Sequence, residues 1–229
     1  MPRLLLFDID GTLLDTGGAG GASLLDAVEE LYGVPRGSLP PLNLAGATDG
    51  GIVRQLFEQV GREMTPAAVD EYLRSYLAHL QRRLQDREFI GQTLPGAREL
   101  LQALTTAGGA DLGLLTGNVR RGAEMKLARF DLGGHFVEGA FGDDAEDRNL
   151  LGPVAMRRMS GATGRTYPVS EVIVIGDTPK DIACAHAIGA RCLAVGTGNF
   201  EAAALSAHSP WVCLENLADT DRVCEILLS

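Results

Sequence analysis

The chain has 229 residues, 45% of them hydrophobic, with 30 acidic and 20 basic side chains and a formal net charge of -10. That apolar share is ordinary for a packed domain and excludes a disordered chain, and the acidic balance excludes non-specific nucleic-acid binding and polybasic attachment to a membrane. A small anionic substrate stays open, because local charge can oppose net charge.

Short continuous apolar runs alternate with segments of helical spacing. Leu4 to Phe7 is the first such run and ends abruptly in Asp8-Ile9-Asp10-Gly11. Leu112 to Leu115 ends in Thr116-Gly117-Asn118, Val172 to Ile175 in Gly176-Asp177-Thr178, and Cys192 to Val195 in Gly196-Thr197-Gly198, with Trp211 to Leu214 as a possible fifth run. Unalternating apolar runs are what strands buried on both faces require. Ala97 to Leu104, Ala123 to Phe130 and Asp181 to Ile188 lie between them with helical spacing. The expectation is an α/β fold with a doubly wound parallel sheet.

The alternation breaks once, between the first strand and the second. There Leu24, Leu25, Val28 and Leu31 share one helical face, and Val69, Leu73, Tyr76, Leu77, Leu80 and Leu84 form a longer stripe. We expect an inserted α-helical cap over residues 15–89, with 1–14 and 90–229 forming the core; the plainer alternative is that these helices simply cover the sheet. The start of the chain meets Asp8 and Asp10 too soon for a signal peptide, and no run approaches the ~18 apolar residues of a membrane span. Cys184, Cys192, Cys213 and Cys224 contain no C-x-x-C pair, so reduced packing thiols and a cytoplasmic setting are expected.

Each polar cluster follows a predicted strand, and ligands of open α/β sheets bind at that edge. Asp8 and Asp10, two residues apart on an extended backbone, share a face. Two carboxylates that close repel unless a cation lies between them or one is protonated. An acidic turn would explain this pair alone, since Asp and Gly favour turns. Asp177 and Asp181 after a second buried strand weaken that explanation, although Asp181 could also open a helix as its cap. Carboxylates converging on one edge make a hard oxygen site that Mg²⁺ suits best.

The segments Asp8-Ile9-Asp10-Gly11-Thr12-Leu13, Leu115-Thr116-Gly117-Asn118 and Ile175-Gly176-Asp177-Thr178-Pro179-Lys180-Asp181 resemble, in order and separation, motifs one, two and four of the haloacid dehalogenase superfamily. The insertion resembles the helical cap of its phosphoglycolate phosphatase-like branch. The resemblance implies a Mg²⁺-dependent phosphatase acting on a small phosphorylated metabolite through an aspartyl-phosphate. Asp8 is then the nucleophile and Asp10 the general acid and base. It also implies that Asp8 and Asp177 give carboxylates, and Asp10 its backbone carbonyl, to the metal. Thr116, with the Gly117 and Asn118 amides, would bind phosphoryl oxygens, although a helix cap is an equal use for a threonine there. Asp181 supports the site rather than ligating directly.

Motif three departs from the pattern. The family places a lysine upstream of motif four, yet the chain has only Lys126 and Lys180, and none between them. Arg148 is the expected substitute in catalysis and phosphate binding; the alternatives are a surface role beside its acidic neighbours, or Lys180 reaching back. Gly46-Ala47-Thr48-Asp49 with Arg54 resembles a recurring cap segment, but Thr48 or Asp49 as a helix cap and Arg54 as a solvated charge explain it as well. A phosphomutase or a silent phosphate-binding module are the alternative functions, and the oligomeric state is not legible.

Overall fold

A computed structural model describes residues 2–229. The chain opens with β1 (Arg3–Phe7), which runs into a short strand β2 (Leu14–Asp15). Three helices follow: α1 (Ala19–Tyr32), α2 (Asp49–Gln59) and α3 (Pro66–Gln85). Strand β3 (Gln92–Thr93) pairs antiparallel with β2, so the departing and returning chains of the helical segment are tied together. The remainder alternates: α4 (Ala97–Ala107), β4 (Ala110–Leu115), α5 (Arg120–Arg129), β5 (Gly139–Ala140), α6 (Leu151–Thr163), β6 (Val172–Gly176), α7 (Pro179–Ala187), β7 (Arg191–Val195), α8 (Ala202–Ser206), β8 (Val212–Leu214) and α9 (Thr220–Leu228).

The main sheet is parallel in the order β5-β4-β1-β6-β7-β8. Its central strand explains why the first apolar run does not alternate. Leu5 and Phe7 pack into one cluster with α4, α5 and α9, while Leu4 and Leu6 pack into a second with α6, α7 and α8. A strand covered on both faces has no polar side to show. The fifth apolar run is a three-residue edge strand. At the opposite edge β5 has only two residues, too short for any periodicity to betray.

The helices α1 to α3 enclose a third apolar cluster of their own. Its stripe on α3 is rotated from the expected one: Tyr72, Tyr76, Leu80 and Leu84 are buried, whereas Val69, Leu73 and Leu77 are partly exposed. The Tyr72 hydroxyl sets this face by donating to the Leu24 carbonyl of α1 at 2.8 Å, while its ring packs edge-on against Phe57 of α2. Among the described residues no helix is long and apolar enough to cross a membrane.

Register positions the functional edge. Phe7 lies level with Leu114 on one side and Ile175 on the other, so the three central strands end together. From β1 the chain passes to β4 and β5 on one side and then crosses back to β6 on the other, and such a switch point opens a crevice at the C-terminal ends of the strands.

Candidate active site

At that crevice lies a cavity of about 390 Å³, lined from the sheet by Asp8, Asp10, Gly117, Asn118, Arg148 and Asp177. Its other wall comes from the helical segment, including Gly20 and Leu24 of α1, Ile52 of α2 and Tyr76 of α3.

Asp8 emerges from β1 with its backbone N–H donating to the Ile175 carbonyl at 2.9 Å. It is buried, and its carboxylate lies 3.1 Å from the Arg148 guanidinium. Burial pushes the Asp8 carboxyl up to about 6; Arg148 opposes that rise and Asp181 adds to it. Burial also holds Asp177 well above the usual carboxylate range, reinforced by Asp181 and Asp8. Carboxylate oxygens of Asp8, Asp177 and Asp181 all lie within 4.8 Å of one another. Three enclosed acids, with the proton affinity of Asp8 and Asp177 raised, form an environment that a hard divalent cation relieves, and oxygen-only donors suit Mg²⁺.

The Asp177 carboxylate is held by its surroundings. Thr12 donates its hydroxyl to it at 3.0 Å. Gly11, at φ 82, and Gly198, in the loop after β7, both come so close that a Cβ on either would collide with its oxygens. Neither Thr12 nor Gly198 was singled out as a site residue; the Gly196-Thr197-Gly198 cluster at a strand end was the available signal.

Arg148 is buried rather than spread over its acidic neighbours on the surface. It donates to Asp181 Oδ1 at 2.5 Å and at 3.3 Å to the carbonyl of Gly46 in the segment leading to α2. Its Nε has no partner. Asp181 performs the capping role as well: its second oxygen accepts from the Thr178 N–H and hydroxyl, closing a capping box at the start of α7. Lys180 does not reach back. Its side chain is largely exposed and lines a different cavity beyond residues 46–48, and partial desolvation there, with the Arg148 charge, lowers its pKa. Two cations crowding one carboxylate cluster would repel, and the arginine fork occupies the inner position.

Thr116 is fully enclosed, and Gly117 and Asn118 present the cavity surface above it. The expected helix-cap alternative fails, because α5 starts at Arg120 with Val119 at its N-cap. The Thr116 oxygen instead accepts from the Asn118 side chain at 2.8 Å.

Asp10 stands apart from the three-aspartate cluster. Its carboxylate is 39% exposed and turns to Lys126, whose Nζ donates to both oxygens at 2.9 and 2.7 Å. Sequence reasoning missed Lys126. The signal was present, since Lys126 falls on the buried stripe of α5 with Ala123 and Leu127, and a lysine is rarely buried unless it is paired.

The segment Gly46 to Asp49 crosses directly over motif two. The Asp49 N–H donates to the Gly117 carbonyl at 2.6 Å, and its carboxylate accepts from the Val119 N–H at 2.8 Å. A side chain at Gly117 would strike the Ala47 carbonyl. Thr48 does cap α2, accepting from Gly51, but also donates to the Glu146 carbonyl at 2.6 Å. Arg54 pairs with Glu146 at 2.6 Å rather than standing alone in solvent. The four cysteines are free, and burial raises the Cys184 thiol to about 11, which suits a packing residue and not a nucleophile.

Residues 5–186 match a family model described as haloacid dehalogenase-like hydrolase. Over the full chain and 83% of its own length, phosphoglycolate phosphatase 1 of Pseudomonas aeruginosa is 25% identical. A phosphoglycolate phosphatase of Rhodospirillum rubrum is 26% identical over 86% of this chain and 81% of its own. In fold, the crystal structure of a hydrolase from Pseudomonas syringae superposes with a TM-score of 0.73 at 20% identity, covering all of both chains.

Proposed function

This chain belongs to the haloacid dehalogenase-like hydrolase family, and we propose that, as a phosphatase of that family, it hydrolyses a small phosphate monoester through a phosphoryl intermediate on Asp8. The observation that carries this reading is the placement of Asp8: at the tip of the central strand, beside Arg148 and Asp177, and open to the cavity.

The donor set of Asp8 and Asp177, with the Asp10 backbone carbonyl, fits Mg²⁺, and Asp181 completes the negative surroundings. When bound, the cation offsets the repulsion between an anionic nucleophile and an anionic phosphate. The chain's own residues do the rest. A carboxylate oxygen of Asp8 attacks phosphorus in line with the leaving oxygen. Arg148 and the amides around Gly117 and Asn118 neutralise charge on the transferring group, while Thr116 supports them from below. Asp10, facing the cavity from the opposite side, donates a proton to the departing oxygen and later takes one from the attacking water.

Residues 15–89 act in this reading as a cap that selects the leaving group, supported by their separate apolar cluster and their wall of the cavity. The named activity of the curated relatives supports 2-phosphoglycolate as the first substrate to try. Four free thiols support a reducing cytoplasmic setting. The test is release of inorganic phosphate from p-nitrophenyl phosphate and from a panel of phosphorylated metabolites, with and without Mg²⁺. Turnover should require the metal and vanish in Asp8→Asn with the melting temperature preserved. Undiminished turnover in Asp8→Asn removes the nucleophile assignment.

A further inference from the structure

Lys126 is buried, and an ammonium taken out of water must have its protons satisfied. Three acceptors meet its three donors: Asp10 Oδ1 at 2.9 Å, Asp10 Oδ2 at 2.7 Å and Asn118 Oδ1 at 2.6 Å. Asn118 closes the ring by donating its amide to Asp10 Oδ2 at 2.7 Å. The same amide nitrogen lies 2.8 Å from Thr116 Oγ1, so the amide is anchored in motif two. Behind the ammonium stands α1, where a Cβ on Gly20 would lie 3.2 Å from Nζ. Helix α5, which carries Lys126, is in turn held at its start by the Asp49 carboxylate. Every group around the Asp10 carboxylate therefore has one place to be.

We propose that Lys126 is the positioning residue for Asp10, fixing the direction in which that carboxyl group exchanges its proton with the leaving group and with water. This rests on the phosphatase reading above and adds to it a residue outside the four motifs. In the first step an Asp8 oxygen bonds to phosphorus as the ester P–O bond breaks. The electron pair of that bond stays on the leaving oxygen, which takes the proton from Asp10. In the second step water bonds to phosphorus, its proton passes to Asp10, and the bond between phosphorus and Asp8 breaks to restore the carboxylate. Lys126 touches neither phosphorus nor the leaving oxygen. It acts by keeping Asp10 turned towards both.

The need for that proton depends on the leaving group, which separates positioning of Asp10 from a general packing role. An alkoxide leaves poorly without protonation, whereas p-nitrophenolate leaves readily. The experiment measures kcat/KM, which reports transfer to the enzyme, for an alkyl phosphate and for p-nitrophenyl phosphate in the wild type, Asp10→Asn, Lys126→Met and Gly20→Ala. General acid catalysis contributes about 10²- to 10⁴-fold, so Lys126→Met should lose about 100-fold on the alkyl ester and less than about 10-fold on the aryl ester, reproducing the preference of Asp10→Asn. Gly20→Ala, which crowds Nζ without removing its charge, should show the same preference with a smaller loss. Equal losses on both esters, or none, in Lys126→Met overturn the proposal. If Lys126→Met does not fold, an equal or absent effect in Gly20→Ala overturns it instead. A wild type that releases no phosphate from either ester defeats the phosphatase reading itself, a result distinct from both.

Discussion

Asp8 and Asp10 are two residues apart and share one edge of the sheet, yet each is given its own cation in a different setting. Asp8 lies in a closed cluster with Arg148, Asp177 and Asp181, all buried. Asp10 opens onto the cavity, held from one side by Lys126 and Asn118. An arginine serves the crowded side because its Nη2 reaches both Asp8 and Asp181 while Nη1 still donates to the Gly46 carbonyl. A lysine serves the open side because a compact ammonium can bridge both oxygens of a single carboxylate and one amide. In the proposed mechanism, equal residues thus become a nucleophile and a proton carrier through what surrounds them.

The comparison breaks most visibly at Arg148. Arg148→Ala leaves Asp8 and Asp181 buried without their counter-charge, which costs about 3–5 kcal/mol of stability by analogy with other buried pairs. Turnover should fall by at least about 100-fold. Arg157→Ala, on the exposed side of α6, should leave both unchanged. Chemical denaturation and steady-state kinetics on the two variants check this pair, and equal losses remove Arg148 from the site. Arg158 is not a neutral control, because it pairs with Asp144 at 2.5 Å and supports β5.

A smaller effect is expected on the metal side alone. Gly198→Ala drives a methyl group into the Asp177 carboxylate while leaving the Lys126 ring intact. Mg²⁺ affinity, followed by metal-dependent thermal shift, should weaken by about tenfold or more, a loss of about 1.4 kcal/mol. Wild-type affinity in this variant removes Asp177 from the metal site.

A further effect, read on a different scale, concerns stability on the Asp10 side. Burial raises the Asp49 carboxyl from 3.8 to about 6, with Lys126 opposing the rise. The folded state therefore holds this proton more tightly than the unfolded chain. The associated stability is fully present below about pH 4 and is lost as the pH rises through about 6. Asp49→Asn keeps an acceptor for the Val119 N–H and removes the charge. Relative to wild type it should gain on the order of 2 kcal/mol at pH 8 compared with pH 4. Parallel stability curves for the two proteins across that range contradict the assignment.

The fold was legible because buried parallel strands print themselves as unbroken apolar runs, and each ends in the residues that face the crevice. Asp8, Asp10 and Asp177 were readable from those endings, whereas Arg148 came only from the family resemblance and the shortage of lysines. The β5 edge escaped because two residues carry no pattern, and the α3 stripe held at Tyr76, Leu80 and Leu84 but missed Tyr72, whose hydroxyl is satisfied only by the distant Leu24 carbonyl. Lys126 escaped for a different reason. It lies inside a helix, away from every strand end, and its partner Asp10 is 116 positions earlier in the chain. Only the folded chain brings them together, although a lysine on an apolar stripe was the mark it left.

Rapid quenching of the enzyme during turnover of a phosphate monoester labelled in its phosphoryl group tests the central claim most directly. The account predicts one label per active chain, sensitive to hydroxylamine as an acyl phosphate is, on the peptide that carries Asp8. An enzyme that turns over without ever holding the label, or that holds it on another residue, contradicts it.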